Sequence, residues 1–184
     1  MIKNKMRVEG VVRIYETPGI RVLSRAELAQ YGRKVVETRN LITDYGLDVI
    51  VGMLLGGMGT PFIGGGGYGA SNFEELRIAQ MVITDAGAPA TPVPGDTALV
   101  GLTLFDWRSD YPTNGQSLLT GLRTALGEVT FSGLIPPQTL NGTTIKEEGL
   151  FTASGLLVAR TTFSFTKNAN VGLQFDHSIV VSRS

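Results

Sequence analysis

The chain has 184 residues, no cysteine, and sixteen basic residues balanced by sixteen acidic ones. That length suits one domain; the missing thiols exclude a disulfide framework, a cysteine nucleophile and a cysteine metal site; and the zero net charge argues against nucleic-acid binding as the main role. Charged residues make up 17% of the chain against about 25% in ordinary globular proteins, and a charge-poor surface favours self-association or burial against a partner.

The N-terminal Met1-Ile-Lys-Asn-Lys-Met-Arg7 has no apolar run behind its charges, so no secretory leader is expected. Residues 6–16 alternate, with Val8, Val12 and Ile14 on one face, and predict a strand turned by Thr17-Pro-Gly19. The segment from about 1 to 40 is also a candidate assembly arm. Ser24 followed three residues later by Glu27 has the form of a capping box and predicts a short helical turn. Residues 34–42 predict a second strand. Thr43 then caps a helix over about 43–55, with Asp44 in the first turn and Ile42 and Leu47 spaced as a hydrophobic staple. Apolar residues surround this helix on nearly every side, so it is expected to be covered on several sides and to plug the open face of a sheet. The apolar stretch from Leu47 to Met58 contains Asp48 and falls short of the roughly 20 residues that cross a bilayer.

Residues 56–72 form a glycine-rich run expected to be a loop. Gly64-Gly-Gly-Gly-Tyr-Gly69 fits G-x-G-x-x-G literally, but it follows a helix and precedes a polar turn, the wrong setting for a dinucleotide site. Strands are expected at 76–84, 102–107 and 125–134, with a proline-rich extended connector over 86–95. A hairpin follows: Ile145, Glu147, Gly149 and Phe151 share a face by period two, and Leu157, Ala159, Thr161, Phe163 and Phe165 repeat the pattern after the turn. Residues 171–181 close the chain, with His177 on the face of Val171, Leu173, Phe175, Ile179 and Val181. The fold expected is mainly β, an antiparallel β-sandwich (jelly-roll or immunoglobulin-like) with one buried apolar helix, in a single domain over 1–184.

Few residues suggest chemistry. His177 is the sole histidine, which excludes a multi-histidine metal site, and it reads as a core or interface histidine held by one hydrogen bond. Glu147 and Glu148 are adjacent and point to opposite faces, so they do not form a catalytic carboxylate pair. A core-facing Glu147 requires a cation, either Arg160 or an arginine of a neighbouring subunit. Trp107 and Tyr111, expected in a loop region, are candidate interface anchors or, alternatively, sugar-stacking aromatics. The scattered aspartates form no calcium loop. No enzyme activity, cofactor or metal is expected.

The hairpin residues Ile145, Glu147, Gly149, Leu150 and Phe151, followed by Gly155, Leu157, Ala159, Arg160 and Phe163, resemble the I-x-E-x-G-L-F … G-x-L-x-A-R-x-x-F signature of tailed-bacteriophage virion structural proteins. Arg39-Asn-Leu-Ile-Thr-Asp-Tyr-Gly-Leu-Asp48 resembles their N-L-I-x-x-x-G-L helix start. Leu76–Thr84 resembles their central strand, and Ala88–Leu99 their A-P-x-x-x-D-T-A-L connector. Together these pieces run from about residue 39 to 165. The resemblance, with the charge-poor composition, implies a virion protein assembled in the host cytoplasm: a capsid decoration or cement subunit bound to copies of itself, as a trimer, and to a major capsid or other virion protein. It leaves a tail, neck, baseplate or fibre-attachment component as the alternative, and a carbohydrate- or receptor-binding sandwich as a further one. Neither nucleic acid nor membrane is an expected partner.

Overall fold

The structure, a computed structural model, describes residues 6–54, 77–85, 91–108 and 117–183. Twelve elements follow one another: β1 (Met6–Thr17), α1 (Arg25–Tyr31), β2 (Arg33–Ile42), α2 (Asp44–Leu54), β3 (Ile78–Thr84), β4 (Thr103–Arg108), β5 (Ser117–Leu118), β6 (Thr120–Ala125), β7 (Glu128–Ile135), β8 (Thr144–Thr152), β9 (Leu157–Thr166) and β10 (Gly172–Arg183). The chain is mainly β, and its strands join one sheet in the order β5-β4-β3-β8-β9-β2-β1-β10-β7-β6. Neighbours are antiparallel except the short β4–β5 pair.

The sheet bends at β2. Arg33 to Asn40 pair with β1, whereas only Leu41 and Ile42 pair with β9, opposite Arg160 and Ala159. A strand that changes partners along its length is the usual way to turn a sheet corner. It divides the sheet into a β1 arm (β6-β7-β10-β1-β2) and a β8 arm (β9-β8-β3-β4-β5), and the whole curls into a half-barrel.

Trp107 on β4 holds the two arms over a common core. It is fully buried, its Nε1–H donates to Leu134 O on β7 at 3.0 Å, and its ring lies 5.4 Å from Phe175 on β10. The approach is so close that a Cβ on Gly133 would stand 2.6 Å from the indole, and only glycine leaves room. Val12, Ile14, Met81, Ile83, Leu150, Ala159, Leu173 and Phe175 fill the space between the arms. Trp107 lies in the strand expected over 102–107, and its place is structural: it sits in the core and not in a loop region, because its partners Gly133 and Phe175 lie far along the chain.

Over the described part of the candidate assembly arm, β1 lies between β2 and β10, paired to β10 along its whole length from Met6 to Thr17. The capping box at α1 forms as expected, with Glu27 N–H donating to Ser24 Oγ and Ser24 N–H to Glu27 Oε2. Thr43 caps α2 by accepting from Gly46 N–H at 3.0 Å, and its own N–H donates to Val158 O on β9. The helix lies so near β9 that a Cβ on Gly46 would be 2.0 Å from Val158 O. Val49 is buried but Leu47 is 44% exposed, so the helix is covered on one side and open on another. Strand β6 has no counterpart in the sequence reading, and the glycine-rich run over 56–72 lies outside the described residues.

Candidate functional site

Strand β8 is buried on both faces, and each face carries a carboxylate. Register shifts between Ile145 and Glu147 and between Leu150 and Phe151 break the strict period-two pattern, so Glu147, Glu148 and Leu150 are all fully buried while Phe151 is only half-buried.

On the outer face, Glu147 accepts from Arg160 Nε–H at 2.7 Å, and Arg160 Nη1–H donates to Asp96 Oδ2 at 2.6 Å. Glu147 Oε2 also accepts from Thr84 Oγ1–H and from Val100 N–H, each at 2.9 Å. The cation that Glu147 requires is thus Arg160 of the same chain. Burial tends to lower the Arg160 pKa, but the hydrogen bonds to Asp96 and Glu147 outweigh it and hold the guanidinium above its ordinary value. Asp96, which sequence reading passed over as one of several scattered aspartates, closes the network: its Oδ2 also accepts from Val93 N–H. The result ties the connector over residues 91–102 to β8 and β9.

On the inner face, His177 Nδ1 lies 2.8 and 2.9 Å from the two Glu148 oxygens, and Nε2 contacts Asn40 Nδ2. A proton on Nδ1 serves the carboxylate and leaves Nε2 to accept from the amide. The histidine is therefore held at both ring nitrogens. It joins β10 and β2 of one arm to β8 of the other, so it clasps the half-barrel from within. Both His177 and Glu148 are wholly buried, and among the described residues no hydroxyl bonds to the ring.

Of the other residues singled out in the sequence, Tyr111 lies outside the described residues, and Trp107 is the core tryptophan described above. Sequence reading missed Lys167, which is buried and donates from Nζ to Pro137 O at 2.8 Å and to Asn141 Oδ1 at 2.7 Å, pinning the turn before β8. Its pKa is lowered by burial. Nothing local marks such a lysine, because its acceptors are a carbonyl and an amide some thirty residues back. Among the described residues no three histidine, aspartate or glutamate side chains are grouped to hold a metal ion, and no helix is long and apolar enough to cross a membrane.

Large apolar side chains are exposed where the connector crosses β8. Val93, Val100 (67% exposed) and Leu102 (76% exposed) stand out there, and Leu122 and Leu126 (90% exposed) project from β6 and the turn after it. Each of these is a large aliphatic side chain left in water beside a rigid support. The chain matches no protein-family model, no curated protein and no solved structure.

Proposed function

We propose that the chain is a non-enzymatic bacteriophage virion structural protein, a decoration or cement subunit that binds copies of itself and a shell protein through its exposed apolar rim. The two arms act as the leaves of a folded-over β-sandwich joined through β2, and the connector rides on the outside of one leaf. The observation that carries the reading is the meeting of Glu147, Arg160 and Asp96. They come from two of the separate segments that resemble virion-protein motifs, the hairpin and the connector, and they converge on one buried network whose effect is to hold Val93, Val100 and Leu102 in fixed, outward positions. A rigid apolar ridge with few charges around it suits docking, since little side-chain and loop freedom is lost on contact.

Sedimentation analysis at micromolar concentration tests the self-association, with a trimer of three times the 19.6 kDa chain mass expected. Electron microscopy and heat challenge of virus particles with and without the protein test the shell contact: particles lacking it should rupture at lower temperature. A stable monomer together with unaltered particles would overturn the proposal.

A further inference from the structure

Between α1 and the outer face of the β1 arm lies a cavity of about 490 Å³, inside the range of small-molecule sites. Its floor is built from hydroxyls. Ser178 Oγ on β10, Thr130 Oγ1 on β7 and Thr124 Oγ1 on β6 form a chain at 2.8 and 2.9 Å across three strands, with Ser178 and Thr130 buried. Three hydroxyls joined by two bonds keep one O–H and several lone pairs unused. Beside them stands Asp176. Ser132 Oγ–H and Gln174 Nε2–H donate to its Oδ1 at 2.8 and 2.9 Å, and its Oδ2 receives no donor among the described residues. Gln174 is itself fixed, exchanging two hydrogen bonds with the backbone of Leu23 just ahead of α1.

The charges around the cavity select against ions. Arg13, Arg21 and Arg25 line it, each paired with a carboxylate, respectively Glu37, Glu27 and Glu128. Asp176 opposes an anion, and Arg13 and Arg25, both close enough to act on Asp176, oppose a cation. What remains is a neutral molecule that donates to Oδ2 and exchanges hydrogen bonds with the hydroxyls, with Leu28 and Leu122 meeting its carbon skeleton. We propose that this cavity binds a saccharide unit, with Asp176 Oδ2 accepting from a ligand hydroxyl and the Ser178–Thr130–Thr124 chain aligning its neighbours. The site is separate from the apolar ridge on the β8 arm and does not rest on the virion reading. Burial also raises the Asp176 pKa above the ordinary carboxylate value in spite of its two donors, and a perturbed carboxyl lining a cavity is a mark of a functional position.

Saturation-transfer NMR on the full chain with D-glucose, D-galactose, N-acetyl-D-glucosamine and L-rhamnose tests the assignment. Transfer to at least one sugar is expected, weakened by about tenfold to a hundredfold in Asp176→Asn, while the melting temperature of that variant stays level or rises. Tyr15→Phe, which lines the same cavity and loses only a hydroxyl, supplies a second comparison should Asp176→Asn unfold, and it too should bind more weakly. Silence from all four sugars overturns the proposal. So does undiminished binding in the folded variants, which would place the sugar elsewhere.

Discussion

The two arms of the half-barrel solve the same problem in opposite ways. The β1 arm shows water one of its faces: along β1 the burial alternates from Gly10 to Glu16, and the outward positions of the arm carry exposed pairs such as Arg13–Glu37 and Lys34–Glu37. Where the connector crosses it, the β8 arm is covered on both faces, by the core on the inside and by the connector on the outside, so β3, β8 and the first half of β9 are buried almost without interruption. Its charges are consequently enclosed, with Arg160 and Glu147 almost entirely out of solvent. An ion pair at the surface is optional, whereas a buried one must be complete.

The largest effects should follow from that difference. Arg160→Ala strands Glu147 in a dry site and is expected to cost about 3–5 kcal/mol in urea unfolding. The paired change Arg160→Met with Glu147→Met should recover most of that loss, since apolar side chains of similar volume satisfy the same space. If the proposed assembly role holds, the double variant should still fail to assemble, because the connector loses its attachment. A single change costing less than about 1 kcal/mol would mean that water reaches the pair, and the contrast between the arms would fall.

Where the arms meet, packing takes over from charge. Trp107→Ala removes the side chain that both arms share and should cost about 3–5 kcal/mol, and Gly133→Ala, which pushes a methyl against the indole, about 1–3 kcal/mol. Equal losses in near-ultraviolet circular dichroism from both variants would locate the effect in the tryptophan's surroundings. Thr43→Ala, which removes the cap of α2 and the bond from Oγ1–H to Leu157 O on β9 while keeping the backbone bond to Val158 O, should cost about 1–2 kcal/mol. Lys34→Ala on the β1 arm should stay within about 1 kcal/mol, since both partners are exposed and Glu37 keeps Arg13 as a donor at 3.3 Å.

The same contrast explains what could be read from the sequence. β1 was legible because one wet face imposes alternation, and the caps of α1 and α2 because their partners lie within three residues. β8 was legible as a strand but not in its facing or burial: period two set Glu147 inward with Ile145, whereas the register shift between them turns Glu147 to the outer face and Glu148 to the core, and both are buried. The partner of Glu148, His177, lies 29 residues away on another strand, and the third member of the outer network, Asp96, sits in a connector with no periodicity at all. β6 went unseen because Thr120-Gly-Leu-Arg-Thr-Ala125 is an exposed edge with no buried face to set a pattern. Trp107 was legible as a strand residue but not as a core one, because its burial is decided by Gly133 and Phe175.

The smallest predicted effect isolates the exposed side of the comparison. Glu27 is held to a pKa of about 2 by hydrogen bonds from the Arg21 side chain and from the Ser24 backbone and hydroxyl. A carboxyl whose folded pKa is depressed contributes stability that is complete above its unfolded value near 4.5 and is lost as the pH falls through about 2. Carboxyl ¹³C NMR should therefore find the Glu27 midpoint well below the others, and the amide of Glu27 should lose its bond to Ser24 over the same acidic range. Because the group is in open solvent, the loss should remain local: α1 frays from its first turn while the Trp107 signals of the core stay unchanged. A core that loosened in step with Glu27 would show that the rim of the β1 arm carries global stability, and that the enclosed arm is not alone in holding the fold.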